Sequence, residues 1–202
     1  MSPARIHTEV ELKFPLDNPA PVRERLIELG FSTTGRVLEY NLLLDTPEGE
    51  LAAAGRLLRL RRDHSVWLTF KERPEKKDAV DEKYKVRAES ELELLDLETM
   101  RYILHKLGYT REKVYEKYRE HFTRDAGVHA EIDTLPYLGN YLELEAPPED
   151  IESLVKELGL RVVDGLRETY YQLFYDYCAS HGLEARDIRF EEARAAKGQA
   201  EV

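Results

Sequence analysis

The chain has 202 residues, 42% hydrophobic and 35% charged, with 40 acidic side chains against 30 basic ones and a formal net charge of -10. That length and apolar content support one substantial domain with a real core and exclude disorder throughout, while the acidic balance argues against non-specific nucleic-acid binding. A lone cysteine, Cys178, excludes an intramolecular disulfide and a multi-cysteine metal site, and no apolar run approaches the roughly 20 residues of a membrane-spanning helix. With no apolar leader at the N-terminus, a soluble cytoplasmic protein is expected, with neither nucleic acid nor membrane among its partners.

In chain order, the first patterned stretch is RIHTEVELKF at 5–14. As a strand it places Glu9, Glu11 and Lys13 on one face and Val10, Leu12 and Phe14 on the other. A helix is expected over 20–29, stopped by Gly30, then a strand at 36–45 and a short helix at 47–54 after Asp45-Thr46-Pro47. Strands at 56–63, 65–72 and 81–93 follow, then a helix at 97–107 stopped by Gly108. Three more strands, 113–124, 128–134 and 139–145, precede helices at 149–158, stopped by Gly159, and 168–181. Eight strands are enough to close a barrel. No Pro-, Gly- or Ser-rich linker divides the chain, so residues 1–182 are read as a single domain. The charged tail, 183–202, is expected to be a frayed helix or disordered.

The same charged alternation recurs along the chain. Arg59 and Arg61 alternate with Leu58 and Leu60, Lys71 follows Phe70, Arg87, Glu89 and Glu91 share a face, and Lys117 and Arg119 lie two apart. Glu131 and Asp133 flank Ile132, and Glu143 and Glu145 alternate with Leu142 and Leu144. These faces carry almost nothing except Arg, Lys, Glu and Asp. Solvated faces with cross-strand ion pairs are the common explanation of such patterns. The alternative turns the charges inward, with helices covering apolar outer faces, and gives a tunnel lined by acids and bases. Such a lining suits a polyanion bridged to carboxylates by a hard divalent cation, because Arg and Lys hold phosphate oxygens and carboxylates hold Mg2+ or Mn2+.

Glu9-Val-Glu-Leu-Lys13 resembles the ExExK signature of the CYTH superfamily, the triphosphate tunnel metalloenzymes. LLLDTP at 42–47, LRLR at 58–61, TFK at 69–71, VRAESE at 86–91, KYR at 117–119, EID at 131–133 and LGNYLELE at 138–145 follow in the family's order. The resemblance covers roughly residues 5–175, and EVELKF looks more like the class IV adenylyl cyclase (CyaB-like) branch. It implies an α+β fold, an eight-stranded antiparallel β-barrel forming a tunnel, with helices packed outside. By resemblance, Lys13, Arg59, Arg61, Lys71, Arg87, Lys117 and Arg119 form a triphosphate cradle. Glu9, Glu11, Asp133, Glu143, Glu145 and Glu89, or Glu91 in its place, are the metal-ligand candidates for Mg2+ or Mn2+. Glu9, Glu11, Lys13, Lys71 and Glu145 are the expected catalytic set, while Glu131 is read as balancing a neighbouring base.

The implied partner is a triphosphate-containing small molecule: tripolyphosphate, ATP or thiamine triphosphate. Hydrolysis of the terminal phosphate is placed ahead of cyclisation of ATP to cyclic AMP and pyrophosphate. A non-catalytic polyphosphate- or nucleotide-binding module is the rival from another class, and a purely structural β-domain is a third reading. The family also suggests a homodimer. RETYYQLF at 167–174 resembles the family's Ser-Tyr segment with Thr169 for serine, and Tyr170 is placed either at the tunnel or in aromatic packing. The loop at 72–80, with Lys76 and Lys77, is a candidate cover for one opening, and the six histidines show no zinc spacing.

Overall fold

The computed structural model describes residues 6–74, 83–124 and 127–193. Eight antiparallel strands form in the expected order: β1 (His7–Leu16), β2 (Ser32–Asp45), β3 (Leu57–Arg62), β4 (Val66–Glu72), β5 (Lys85–Leu94), β6 (Arg111–Thr123), β7 (His129–Leu135) and β8 (Gly139–Glu145). They close into a barrel in the order β1-β5-β4-β3-β2-β6-β7-β8. Closure leaves no unpaired sheet edge.

The period-two pattern then has only one low-cost arrangement. Outward-facing leucines and aromatics must be covered, and the helices cover them. Leu12, Phe14, Phe122, Ile132, Leu142 and Leu144 pack with Leu26 of α1 (Ala20–Glu28) and with Ile151, Leu154 and Val155 of α4 (Pro148–Glu157). On the opposite side Leu42, Leu44, Leu58, Leu60 and Val114 pack with Leu97 and Leu104 of α3 (Leu97–Lys106). Each such side chain contributes roughly 1.5–3 kcal/mol when fully buried. The core is therefore a shell around the barrel, and the lumen is left to the charges. The short helix α2 (Glu50–Ala53) is a single turn, held by Asp45, whose carboxylate accepts from the backbone of Thr46, Leu51 and Ala52.

One crossing fixes the position of the last helix. The backbone N–H and C=O of Lys13 pair with the C=O and N–H of Leu166, at 3.1 and 2.7 Å. Gly165 permits this approach, because a Cβ there would lie 2.6 Å from the Leu12 side chain. Three residues on, Thr169 caps α5 (Tyr170–His181) in a capping box with Gln172. The hydroxyl that raised the question of a serine replacement is thus used at the helix end.

The segment after Leu183 is not uniformly loose. Ile188 is fully buried beside Phe174, Cys178 and Tyr115, and its backbone bonds to Val114 and Glu116 along β6 at 2.9 and 2.8 Å. Asp187 accepts from the Val114 N–H, and Glu116 accepts from the Phe190 N–H. A single well-placed isoleucine anchors a segment whose average composition is polar. The residues beyond 193, and most of the 72–80 loop with Lys76 and Lys77, lie outside the described residues. Among the described residues, no helix is long and apolar enough to cross a membrane.

Truncating the anchor should open a cavity at a site wedged between α5 and β6. Ile188→Ala is expected to lower unfolding stability by about 2–4 kcal/mol in urea melts. An unchanged midpoint would mean that the segment only rests on the barrel.

Candidate functional site

Inward-facing residues of all eight strands surround a cavity of about 550 Å³. Among the described lining residues are nine carboxylates and seven Lys or Arg side chains, so acids outnumber bases despite the basic cluster. Register explains the mixing. Glu11 lies opposite Lys85 on β5 and Glu145 on β8, Lys13 opposite Glu143, and Lys71 opposite Glu89. Each strand therefore sets acids beside the bases of its neighbours.

The contacts follow that register. Lys71 Nζ donates to both oxygens of Glu9 at 2.7 Å and lies 3.0 Å from Glu89. Glu11 accepts from Lys85 at 2.6 Å, and Glu143 accepts from Lys13 and Arg119. Arg59 donates to Thr69 at 3.2 Å and lies 3.5 Å from Glu91, which also accepts from Thr69. Arg61 is 3.7 Å from Glu39, and Lys117 is 3.5 Å from the same carboxylate.

Electrostatics separates the carboxylates into two kinds. Burial alone would raise Glu11, but the ammonium groups of Lys85 and Lys13 hold it down at about 2. Glu39 is likewise held at about 2 against burial, by Lys117, Arg119 and Arg61. Glu143 lies well below the usual range because Lys13 and Arg119 outweigh its burial. Glu145 is the opposite case. Burial, and then the charges of Glu9 and Glu131, push it up to about 8. It takes no hydrogen bond or ion pair from the described residues. Glu9 is also raised, by burial first, even though Lys71 opposes the shift.

Two expected residues stand apart from the lumen. Asp133 is entirely buried and does not line the cavity. Its oxygens accept from Lys117 at 3.0 Å, from Arg119 Nε and Nη2 at 2.7 and 2.6 Å, and from the Tyr170 hydroxyl at 2.7 Å. A carboxylate so occupied holds the bases in place. Arg87 has the inward parity, opposite Glu9, but it is not among the lining residues; its guanidinium donates to the Val86 carbonyl at 3.3 Å. The other expected residues, Glu9, Glu11, Lys13, Arg59, Arg61, Lys71, Glu89, Lys117, Arg119, Glu143 and Glu145, are brought together, as is Glu91.

Lys85 and Glu39 line the same wall without having been singled out, and Glu131 sits with the acids of β8. Parity could have found the first two, since Lys85 shares its face with Glu89, and Glu39 lies opposite Lys117. Tyr170 reaches the lumen, its ring 4.4 Å from Lys13 Nζ and 5.5 Å from Lys117 Nζ. His7, His64, His121 and His129 also line the cavity.

No three ligand-type side chains among the described residues already form a metal-holding cluster. The donor chemistry nonetheless fits a hard cation: Glu9, Glu11, Glu89, Glu143 and Glu145 offer carboxylate oxygens, and Glu145 sits unpaired where carboxylates crowd. Their present arrangement reflects pairing with lysines and arginines.

The CYTH domain family model matches residues 7–170, and the chain belongs to that family. A Methanocaldococcus jannaschii protein named "Putative adenylate cyclase MJ0240" is 28% identical over 176 residues, covering 82% of this chain and 97% of that protein. The PH1819 protein of Pyrococcus horikoshii has a similar structure, with a TM-score of 0.68 and 26% identity over 83% of this chain and 98% of its own. A Hippeastrum protein, described as a "Putative adenylyl cyclase" with a dominant triphosphatase activity, shares the fold at a TM-score of 0.55 and 20% identity, covering 88% of this chain and 97% of its own.

The Glu145 shift has a sign that can be measured. A carboxyl whose folded pKa is raised to about 8 from 4.5 favours the folded state below the lower value, and that contribution is lost as pH rises through the upper one. In protein stripped of divalent cations, Glu145→Gln should therefore melt higher than the parent at pH 8.5 and lose most of that advantage at pH near 4.5. A pH-independent difference would contradict the assignment.

Proposed function

We propose that this chain is a divalent-metal-dependent enzyme acting on triphosphate substrates, with hydrolysis of the terminal phosphate as its favoured reaction. One observation carries the reading: a closed barrel brings seven cations and nine carboxylates to one lumen and leaves each side compensated chiefly by the other. A polyphosphate can replace the carboxylates as the partner of Lys13, Lys71, Lys85, Arg59 and Arg61, and can meet Lys117 and Arg119 where Asp133 holds them. The carboxylates released from those pairs are then available to Mg2+ or Mn2+. Neither half of the lining is complete without its own ligand.

The chain's residues would act as follows. Lys117 and Arg119, fixed by Asp133, offer positive charge that need not reorganise when substrate arrives. Arg59 and Arg61 present forked donors to phosphate oxygens. Glu9, Glu11, Glu143 and Glu145, with Glu89, are the set that would hold the metal; Asp133 is assigned to positioning. Bound Mg2+ or Mn2+ would polarise phosphate oxygens and offset their charge. Glu145, uncommitted to any cation and raised to about 8, is the carboxylate that holds a proton most readily in the lumen.

Cyclisation of ATP remains the second reading, favoured by the name of the 28%-identical relative. Hydrolysis is placed first because the Hippeastrum protein couples a cyclase name to a dominant triphosphatase activity. The two reactions share the cradle and differ in which phosphorus is attacked. A binding module would need only the bases, and the retained acids count against it.

Purified protein should be assayed with tripolyphosphate, ATP and thiamine triphosphate in parallel, each with Mg2+ or Mn2+, and with phosphate, pyrophosphate and cyclic AMP followed separately. Phosphate without cyclic AMP is expected. Cyclic AMP with equimolar pyrophosphate would replace this reading by the cyclase. Glu11→Ala and Arg59→Ala are each expected to lower kcat/KM by about 10²-fold or more, and to abolish the rise in melting temperature that tripolyphosphate gives the parent. Retention of that rise in both variants would support a structural β-domain.

A further inference from the structure

Hydrogen bonding is incomplete on one wall of the barrel, although its charges are compensated by ion pairs. Among the described residues, six buried side-chain atoms find no hydrogen-bond partner, and five of them lie where β2 faces β3: Glu39 Oε2, Asn41 Nδ2 and Oδ1, and the Nε groups of Arg59 and Arg61. Register places them together. Asn41 lies directly opposite Arg61 on β3 and Tyr115 on β6, while Leu43, two residues along, lies opposite Arg59. Directly opposed side chains on one face are in contact range, and diagonal ones lie within reach when long.

Asn41 is the centre of this group. Its exposure is 0%, and neither end of its carboxamide is used. A buried amide that makes no hydrogen bond is more costly than an apolar side chain of the same size, so stability gives no reason for asparagine here. Packing gives none either, because the neighbouring outward positions, Leu42 and Leu44, supply the apolar contacts of this strand. The chemistry around it does. Its neighbours Arg59 and Arg61 line the lumen; neither Nε makes a hydrogen bond, and that of Arg61 has only the Asp63 carboxylate at 3.5 Å.

We propose that Asn41, which lies behind the cavity wall and does not line it, is a positioning residue of the triphosphate site, completing its hydrogen bonds through Arg59 and Arg61 only when the polyanion is present. This rests on the triphosphate reading above. When Arg59 and Arg61 turn toward phosphate, a guanidinium N–H of either can donate to Asn41 Oδ1 and be held in the direction of the anion. The amide is suited to this because its oxygen has two lone pairs and no charge, and so can hold two guanidinium groups without neutralising them. An aspartate would neutralise the arginines, and a leucine would orient neither.

The test compares parent, Asn41→Leu and Asn41→Asp for turnover of tripolyphosphate with Mn2+, and for melting temperature with and without tripolyphosphate. Asn41→Leu is expected to melt at least as high as the parent without ligand, yet to lose about tenfold or more in kcat/KM, chiefly through KM, and most of the ligand-induced rise. Stability and function would then move in opposite directions, as no folding defect can make them do. If Asn41→Leu keeps kcat/KM and the ligand-induced rise within about twofold of the parent, the proposal fails and the wall is a tolerated polar defect. Should the leucine variant melt lower, the near-isosteric Asn41→Asp decides: a raised KM sustains the proposal, and an unchanged KM overturns it. A parent that neither binds nor turns over any of the three triphosphates would overturn the triphosphate reading first, and this proposal with it.

Discussion

Everything in this molecule depends on pairing opposite charges inside a closed sheet. An isolated ion moved from water into a protein interior costs several kcal/mol even after relaxation, so a lumen of one sign would not close. Here the antiparallel register sets Lys13 against Glu143, Lys71 against Glu89 and Lys85 against Glu11, and the strands can bring their charged faces inward together. The apolar faces are then forced outward. That in turn requires α1, α3 and α4 to cover them, and the hydrophobic core becomes a jacket around a polar interior.

The pairs are not all equivalent. Lys117, Arg119 and Tyr170 converge on Asp133, a carboxylate with no exposure, and breaking any of those bonds would strand a buried charge or hydroxyl. This part of the wall is fixed. Lys71 and Lys85, by contrast, lean on Glu9 and Glu11, which face the cavity themselves. Their partners can be exchanged for others without exposing either charge to an apolar surface. One portion of the wall is thus held by a buried carboxylate, and the other by carboxylates that face the cavity.

Much of this was legible in the sequence, and the limits have physical causes. Alternation located all eight strands to within a few residues, because the side-chain period of a strand is two whichever face is buried. What alternation cannot give is the direction of the faces, and the ordered CYTH-like motifs supplied it. Parity also implicates Glu39 and Lys85, but Glu39 is the one charged residue of VLEYNLLL, and Lys85 opens a strand whose expected start, at 81, lies outside the described residues. Residue type does not reveal which partner occupies a carboxylate, so the engagement of Asp133 by Lys117, Arg119 and Tyr170 is not legible in the sequence. Ile188 was passed over since one apolar residue hardly alters the composition of a charged tail.

The excess of carboxylates over fixed cations has a further consequence for ligand binding. A polyanion entering alone would have to displace carboxylates from the bases, and a divalent cation entering alone would have to take Glu9, Glu11 or Glu143 away from its lysine or arginine. Each ligand removes the obstacle to the other: the anion occupies the bases and frees the acids, and the cation offsets the charge of both. Because coupling between two binding equilibria is reciprocal, whatever factor the cation adds to the affinity for triphosphate the triphosphate must add to the affinity for the cation. A barrel compensated in this way has little reason to hold either ligand tightly by itself. The ion pairs that allow it to fold are thus the same groups that either ligand would have to take over.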